Sequence, residues 1–309
     1  GGFGRLPAPE TLKLRGAGSA PTSFSTRSDK TTGALKVCNR APKAFTPGGN
    51  MAAQSEAKQP TLFIPHGGGP CFFMDWSIMG EPKDAWNKTE AWLKSIVSSL
   101  PERPKAIIVI SGHWEEPVFT AASSPAPGMI YDYSGFPPHT YELQFPAPGS
   151  PALADRIVSL LTAAGIPAKT DAQRGYDHGV FIPLLVAFPD ADIPVVPLSL
   201  KENLDPQEHI AVGRALAPLR DEGVLIIGSG MSFHNLRAFF SHTGSQTGAE
   251  SIAFDHWLQA ACCAPGLTAE EREQRLIEWE DAPFARYCHP REEHLLPLHV
   301  CFGAAAENP

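Results

Sequence analysis

The chain has 309 residues, 43% of them hydrophobic, and a formal net charge of −8. That length suffices for one large domain or two small ones, and the acidic balance argues against nucleic-acid binding, which calls for a basic field. No stretch approaches the roughly 18 uninterrupted apolar residues of a membrane-spanning helix, so the expectation is a soluble, cytoplasmic protein. The six cysteines form no CxxC pair and no recognisable disulfide ladder, which fits a reduced compartment.

In chain order, residues 1–58 stand apart. They are rich in Gly, Ser, Thr, Pro and basic residues and show no hydrophobic periodicity, so they are expected to be disordered. Two readings fit: an organelle import segment, or sequence upstream of a start at Met51. The body of the protein is read as residues 59–309. A strand over 61–65 leads into a Gly-rich loop. The spacing of Trp86, Trp92, Leu93, Ile96 and Val97 predicts a helix over 84–99. A strand over 106–111 precedes a long loop, 115–149, crowded with Pro and aromatic residues.

A helix over 151–164 ends at Gly165, a C′ residue type. A strand over 193–200 precedes a helix over 206–220, which opens with Asp205-Pro206, a cap and a proline suited to the first turn. A strand over 224–228 follows, and residues 248–303 read as helical, with a capping box at Thr268-Ala269-Glu270-Glu271. Alternating strands and helices, with apolar runs that do not alternate in polarity, predict an α/β fold. We expect a single domain with a mostly parallel central sheet covered by helices on both faces.

Three histidines, His66, His113 and His234, each follow one of the apolar runs. Ligands of open α/β sheets bind outside the carboxyl ends of the strands, and neutral imidazoles converging there bind a transition metal. His294 is placed to join them from a helix start. Each has a plainer alternative: a turn with a polar end for His66, a sheet-edge cap for His113. His234 is either a ligand or a general base. Glu293 adjoins His294, and only one of the two is expected to point at a metal. His178, in Tyr176-Asp177-His178-Gly179, follows no clean strand and reads as a loop residue facing substrate. Asp177 either orients an imidazole or caps a turn. His209, His242 and His256 read as surface or packing residues; His289 and His299, flanking His294, are left open. His139 and Tyr141 are candidates for substrate contact. They sit in the aromatic loop, which forms either a wall against a flat ring or a surface loop packed on the sheet.

An ordered set of motifs then carries a resemblance: Pro65-His66-Gly67, Ser111-Gly112-His113-Trp114, Phe145-Pro146-Ala147-Pro148-Gly149-Ser150-Pro151, Asp177-His178-Gly179, Gly228-Ser229-Gly230 with His234-Asn235-Leu236, and Glu293-His294-Leu295-Leu296-Pro297-Leu298. Together, over about residues 60–308, they resemble the class III extradiol ring-cleavage dioxygenases of the LigB-like family, in its 4,5-DOPA dioxygenase branch. The resemblance implies that His66, His113 and His294 hold a metal. It places His234 at the metal, as fourth ligand or acid/base, and His178 beside the substrate. Fe(II) is the metal expected, with Zn(II) as the alternative; the partners are a small aromatic diol and O2. Three protein ligands leave positions open for a catechol's adjacent oxygens and for O2, and the product is a muconic semialdehyde. The chain departs from the family in reading HGGGP, where many members have HGSP, in its basic N-terminal segment, and in stopping at Pro309, where members usually continue into a final strand. Two rivals use the same residues: a zinc hydrolase, and an interaction protein that has lost catalysis.

Overall fold

Ile107, Ile108, Val109 and Ile110 are wholly buried and form the middle of the central strand of a six-stranded sheet. The computed structural model describes residues 57–240 and 247–305. The N-terminal extension, apart from Ala57 and Lys58, and His242 lie outside the described residues.

The strands are β1 (Thr61–Pro65), β2 (Ala106–Glu116), β3 (Phe119–Ala122), β4 (Ala168–Asp171), β5 (Val195–Lys201) and β6 (Val224–Gly230). Their order is β1-β6-β2-β5-β3-β4. All neighbours are parallel except β3 and β5, which meet antiparallel at Ala121 and Leu198. The helices are α1 (Asn87–Ser99), α2 (Pro151–Ala163), α3 (His178–Ala187), α4 (Pro206–Leu216), α5 (Leu236–Phe240), α6 (Thr247–Cys263), α7 (Ala269–Ile277), α8 (Ala285–Cys288) and α9 (Leu296–Ala305).

Strand side chains alternate between two cores. Ile108, Ile110, Phe63 and Ile226 pack with α2, α4, α6, α7 and α9. Ile107, Val109, Leu62, Ile64, Leu225 and Ile227 pack with α1, α3 and the aromatic loop. Each fully buried Ile or Leu side chain contributes about 1.5–3 kcal/mol, so burial on both faces fixes the strand register firmly.

Local signals set the helix starts. Ser150 accepts from Leu153 N, Asp205 accepts from Glu208 N, and Thr268 and Glu271 form a reciprocal capping box. Gly165 follows α2 with φ 77°, a left-handed turn open to glycine without strain.

Four parts of the chain depart from the sequence reading. The 115–149 stretch is not all loop: it contains β3 and a 3-10 turn at Pro138–Glu142. β4, of sequence AKTD, is largely exposed and carries no apolar run; its pairing with β3 makes it a strand. His178 is the first residue of α3 rather than a loop residue. That helix is buried on all sides and interrupted by Pro183, so it has no amphipathic period to read. The predicted helix over 206–220 ends as α4 at Leu216 and finishes in a 3-10 turn over Ala217–Arg220. No helix among the described residues is long and apolar enough to cross a membrane. Cys71, Cys262, Cys288 and Cys301 are free and buried.

His209, on α4, is a packing residue that also records pH. Its Nδ1 donates to Asp205 O at 2.6 Å, and its Nε2 accepts from Lys201 N at 3.2 Å. A second ring proton would face the Lys201 N–H. Burial, offset in part by the Asp205 carbonyl, lowers its pKa to about 4, below the roughly 6.5 of an unfolded histidine. The unfolded chain therefore binds more protons between those values. The stability contributed by neutral His209 is complete above pH 6.5 and is lost as pH falls toward 4. In urea titrations of the metal-free chain from pH 7 to pH 4, His209→Gln should flatten the fall in unfolding free energy by up to about 1.4 kcal/mol per pH unit. Identical slopes for the two proteins would contradict this.

Candidate metal centre

The parallel register brings the carboxyl ends of β1, β6 and β2 to one level: Pro65 pairs with Gly230, and Ser111 with Ser229. His66 lies one residue past β1, its N–H donating to Gly230 O at 3.3 Å. His113 lies inside β2, where the register against β5 shifts between Ile110 and Glu115. Such a bulge lifts side chains out of the ladder and re-aims them; here it turns His113 toward His66. His294 arrives in the turn before α9. Met231 N donates to His294 O at 3.0 Å, and a Cβ on Gly230 would collide with that same carbonyl, so only glycine lets the 293–297 segment come this close.

The three rings converge through one atom each. Nε2 of His113 lies 3.0 Å from Nε2 of His66 and 3.1 Å from Nε2 of His294. The outer nitrogens decide what these contacts mean. Pro183 has no N–H to give the carbonyl four residues back in α3, that of Gly179. Ser229 Oγ donates to Gly179 O instead, which uses the hydroxyl's one proton. Ser229 Oγ must then accept from His66 Nδ1, 3.0 Å away, so His66 Nε2 carries a bare lone pair. Glu293 Oε1 lies 3.0 Å from His294 Nδ1, and a carboxylate only accepts, so His294 Nε2 is bare as well.

A proton on His113 Nε2 would satisfy one neighbour and leave the other contact as lone pair against lone pair. A cation satisfies all three at once, so the donor set fits a metal. Burial is the first cause that lowers the pKa values of all three, with mutual repulsion adding to it: His66 and His294 fall well below the usual value and His113 to about 3. All three are therefore neutral at neutral pH, the form in which imidazole can ligate a metal.

His234 stands beside this trio. Its Nδ1 lies 3.1 Å from Glu293 Oε1, and its ring stacks on His294 with centroids 3.4 Å apart. Glu293 Oε1 thus anchors two imidazoles through their Nδ1 atoms. Burial works against its charge, yet the hydrogen bond from His234 holds its carboxyl below the usual range. Backbone bonds clamp the His234 loop: His234 N donates to Cys288 O at 2.9 Å, and His289 Nε2 donates to Ser232 O at 3.1 Å. His289 and His299 are buried and bonded to backbone carbonyls, so both are structural. His256 is exposed.

His178 enters from the opposite core, at the start of α3, with its ring centroid 3.9 Å from that of His113 and 5.4 Å from that of His66. Its Nδ1 donates to Asp132 Oδ1 at 2.7 Å. Asp177 therefore does not orient it. That carboxylate is buried and held by Ser111 Oγ and Arg174 Nη2, each at 2.7 Å. Sequence reasoning missed Asp132, Ser229 and the anchoring role of Glu293, because only the folded chain brings 132 to 178, 229 to 66 and 293 to 234. Tyr133 packs edge-on against His178, with centroids 5.7 Å apart, and Tyr141 packs behind Tyr133 at 5.2 Å. The Tyr141 hydroxyl accepts from Phe136 N at 3.4 Å. His139 is exposed; it donates to Phe73 O at 2.9 Å and lines an open depression with Lys83 and Asn87.

Known proteins resemble this chain over most of its length. The family described as the catalytic LigB subunit of aromatic ring-opening dioxygenase matches residues 60–309. A protein of Beta vulgaris named 4,5-DOPA dioxygenase extradiol is 40% identical over 264 residues, covering 84% of this chain and 91% of the relative. The dioxygenase tasH of Hapsidospora irregularis is 38% identical, covering 81% of this chain and 79% of its own. The 4,5-DOPA dioxygenase extradiol of Escherichia coli is 36% identical, covering 81% and 86%. A solved structure, that of the uncharacterized protein JW3007 from Escherichia coli K12, superposes with a TM-score of 0.56 at 32% identity, covering 70% of this chain and 81% of that one.

Ser229 is predicted to act through His66. Ser229→Ala removes the acceptor that keeps the His66 proton on Nδ1, so metal affinity measured by chelator competition should fall about 10- to 100-fold, the usual cost of losing an outer partner of a ligating histidine. Unchanged affinity would show that the His66 tautomer is set elsewhere.

Proposed function

Because the chain belongs to the LigB family of aromatic ring-opening dioxygenases and is an extradiol ring-cleaving enzyme, we propose that it opens a catechol ring next to its paired hydroxyls, with His66, His113 and His294 holding Fe(II). The observation that carries this reading is the convergence of three neutral imidazole nitrogens at the sheet edge. When bound, Fe(II) supplies acidification of the catechol hydroxyls and a route for electrons from ring to O2. Zn(II) undergoes no redox change, so ring opening by O2 favours Fe(II) over Zn(II) at these imidazoles. The relatives named 4,5-DOPA dioxygenase extradiol support a DOPA-like catechol as the substrate.

The chain's own residues handle position and protons. His178, with its proton held on Nδ1 by Asp132, offers Nε2 as the base that takes a catechol proton and returns it as the ring opens. We assign His234 to proton transfer beside the ligands rather than to a fourth ligand position, since it shares the Glu293 oxygen with His294 and stands outside the three-nitrogen convergence. Tyr133 forms the aromatic wall nearest His178, backed by Tyr141. Burial, reinforced by Tyr131 and Tyr141, pushes the Tyr133 hydroxyl up to about 12. It thus stays protonated and donates to Thr140 O at 2.6 Å, which fixes the ring face.

Anaerobic reconstitution with Fe(II), followed by oxygen-uptake assays across catechols and monophenols, tests the reading. Turnover is expected only with O2, Fe(II) and an adjacent pair of hydroxyls, and it should give a yellow semialdehyde; product formed without oxygen, or equal turnover of phenol and catechol, overturns it. His66→Ala and His113→Ala should lose tight metal binding while keeping the fold, and stoichiometric metal in either variant would refute the ligand set. His178→Ala should keep its metal but lose about 10²–10⁴-fold in turnover. Tyr141→Ala and His139→Ala, as wall and entrance residues, should raise KM more than they lower kcat; unchanged kinetics in both would remove the loop from substrate binding.

A further inference from the structure

Asp132 lies in the aromatic loop between Tyr131 and Tyr133, 46 residues before His178. Its Oδ1 accepts twice from one residue: from the ring Nδ1 of His178 at 2.7 Å and from the backbone N of His178 at 3.0 Å. Its Oδ2 lies 3.7 Å from His113 Nδ1, too far for a hydrogen bond. The backbone contact has a local cause. His178 begins α3, and the residue before it, Asp177, makes no side-chain cap because Ser111 and Arg174 hold its carboxylate. The first turn of α3 therefore takes its acceptor from outside the helix, and the exposed N–H groups of that turn favour a carboxylate there.

The two hydrogen bonds fix different things. The backbone bond fixes where α3 starts and so where the His178 Cα stands. The ring bond fixes rotation and tautomer, because a carboxylate can only accept and the proton must sit on Nδ1. Among the described residues nothing hydrogen-bonds the opposite nitrogen, Nε2. Tyr133, next in the chain, closes one edge of the same ring, so one short segment holds His178 by carboxylate and by aromatic contact.

We propose that Asp132 is the positioning residue of the acid/base pair. It holds His178 as the Nδ1–H tautomer with Nε2 presented to the substrate, and it acts on turnover only through His178. This rests on the ring-opening reading for its kinetic consequence but not for its structural one.

The test has two arms. In the first, Asp132→Asn lowers kcat about 10²–10³-fold, within the range a positioned proton-transfer group supplies, while KM stays within about 3-fold and metal content is unchanged. In the His178→Ala background the same substitution adds almost nothing, since residues acting as a unit are not additive. In the second arm, ring 15N NMR of the metal-free chain shows His178 as a single Nδ1–H tautomer, and Asp132→Ala, which removes the acceptor, yields a mixture or the Nε2–H form. Asp132→Ser serves in either arm if the variant named there does not fold. An equal loss of kcat in both backgrounds, a fall in metal content that accounts for the loss, or an unchanged His178 tautomer overturns the proposal. Absence of catechol turnover in the unsubstituted protein overturns the ring-opening reading instead, and the NMR arm still decides the role of Asp132.

Discussion

Imidazole nitrogens facing one another inside a protein repel unless something positive lies between them, and much of this structure serves to keep them facing. An imidazole has two nitrogens and, when neutral, one proton. To aim Nε2 inward as a donor, the fold must hold the proton outside, on Nδ1, with an acceptor for it. His66 has Ser229, which can only accept because its own proton goes to Gly179. His294 has Glu293. Burial keeps the rings from taking a second proton. Pro183, an anomaly in a helix, becomes intelligible here: by withholding an N–H it leaves the Gly179 carbonyl to the serine.

Placement of the rings follows from ordinary sheet geometry with two local exceptions. Parallel register levels the ends of β1, β6 and β2, which alone brings His66 and the start of the His234 loop to one edge. The bulge in β2 adds His113. The absence of a side chain at Gly230 lets His294 settle against the strand ends. Each exception costs sheet hydrogen bonds or chain entropy, and the burial of Ile and Val along the same strands offsets that cost.

The site is a seam between the two cores. His294 belongs to the layer that contains α9, whereas His178 belongs to the layer that contains α3. The two layers meet through Ser229, which bonds both His66 and the Gly179 carbonyl of the helix that carries His178. The aromatic loop lies at the seam, with Tyr133 against His178 and Asp132 on its Nδ1.

The sequence by itself determined the alternation of strands and helices, the capped starts of α2, α4 and α7, the burial of the apolar runs, and the histidines that gather at the sheet edge. These are legible because they depend on neighbours within a few residues: a cap on the next turn, a face on a period of two or 3.6. Only the tertiary structure decided that β3 and β4 are strands, since edge pairing rather than their own side chains makes them so. It alone revealed α3, a helix buried all round and lacking any period. It replaced Asp177 with Asp132 as the partner of His178, and it gave Ser229 and Glu293 their roles. A hydrogen-bond partner can come from anywhere in the chain that the fold brings within 3 Å, and no local pattern in residues 132, 229 or 293 records the imidazole each one meets.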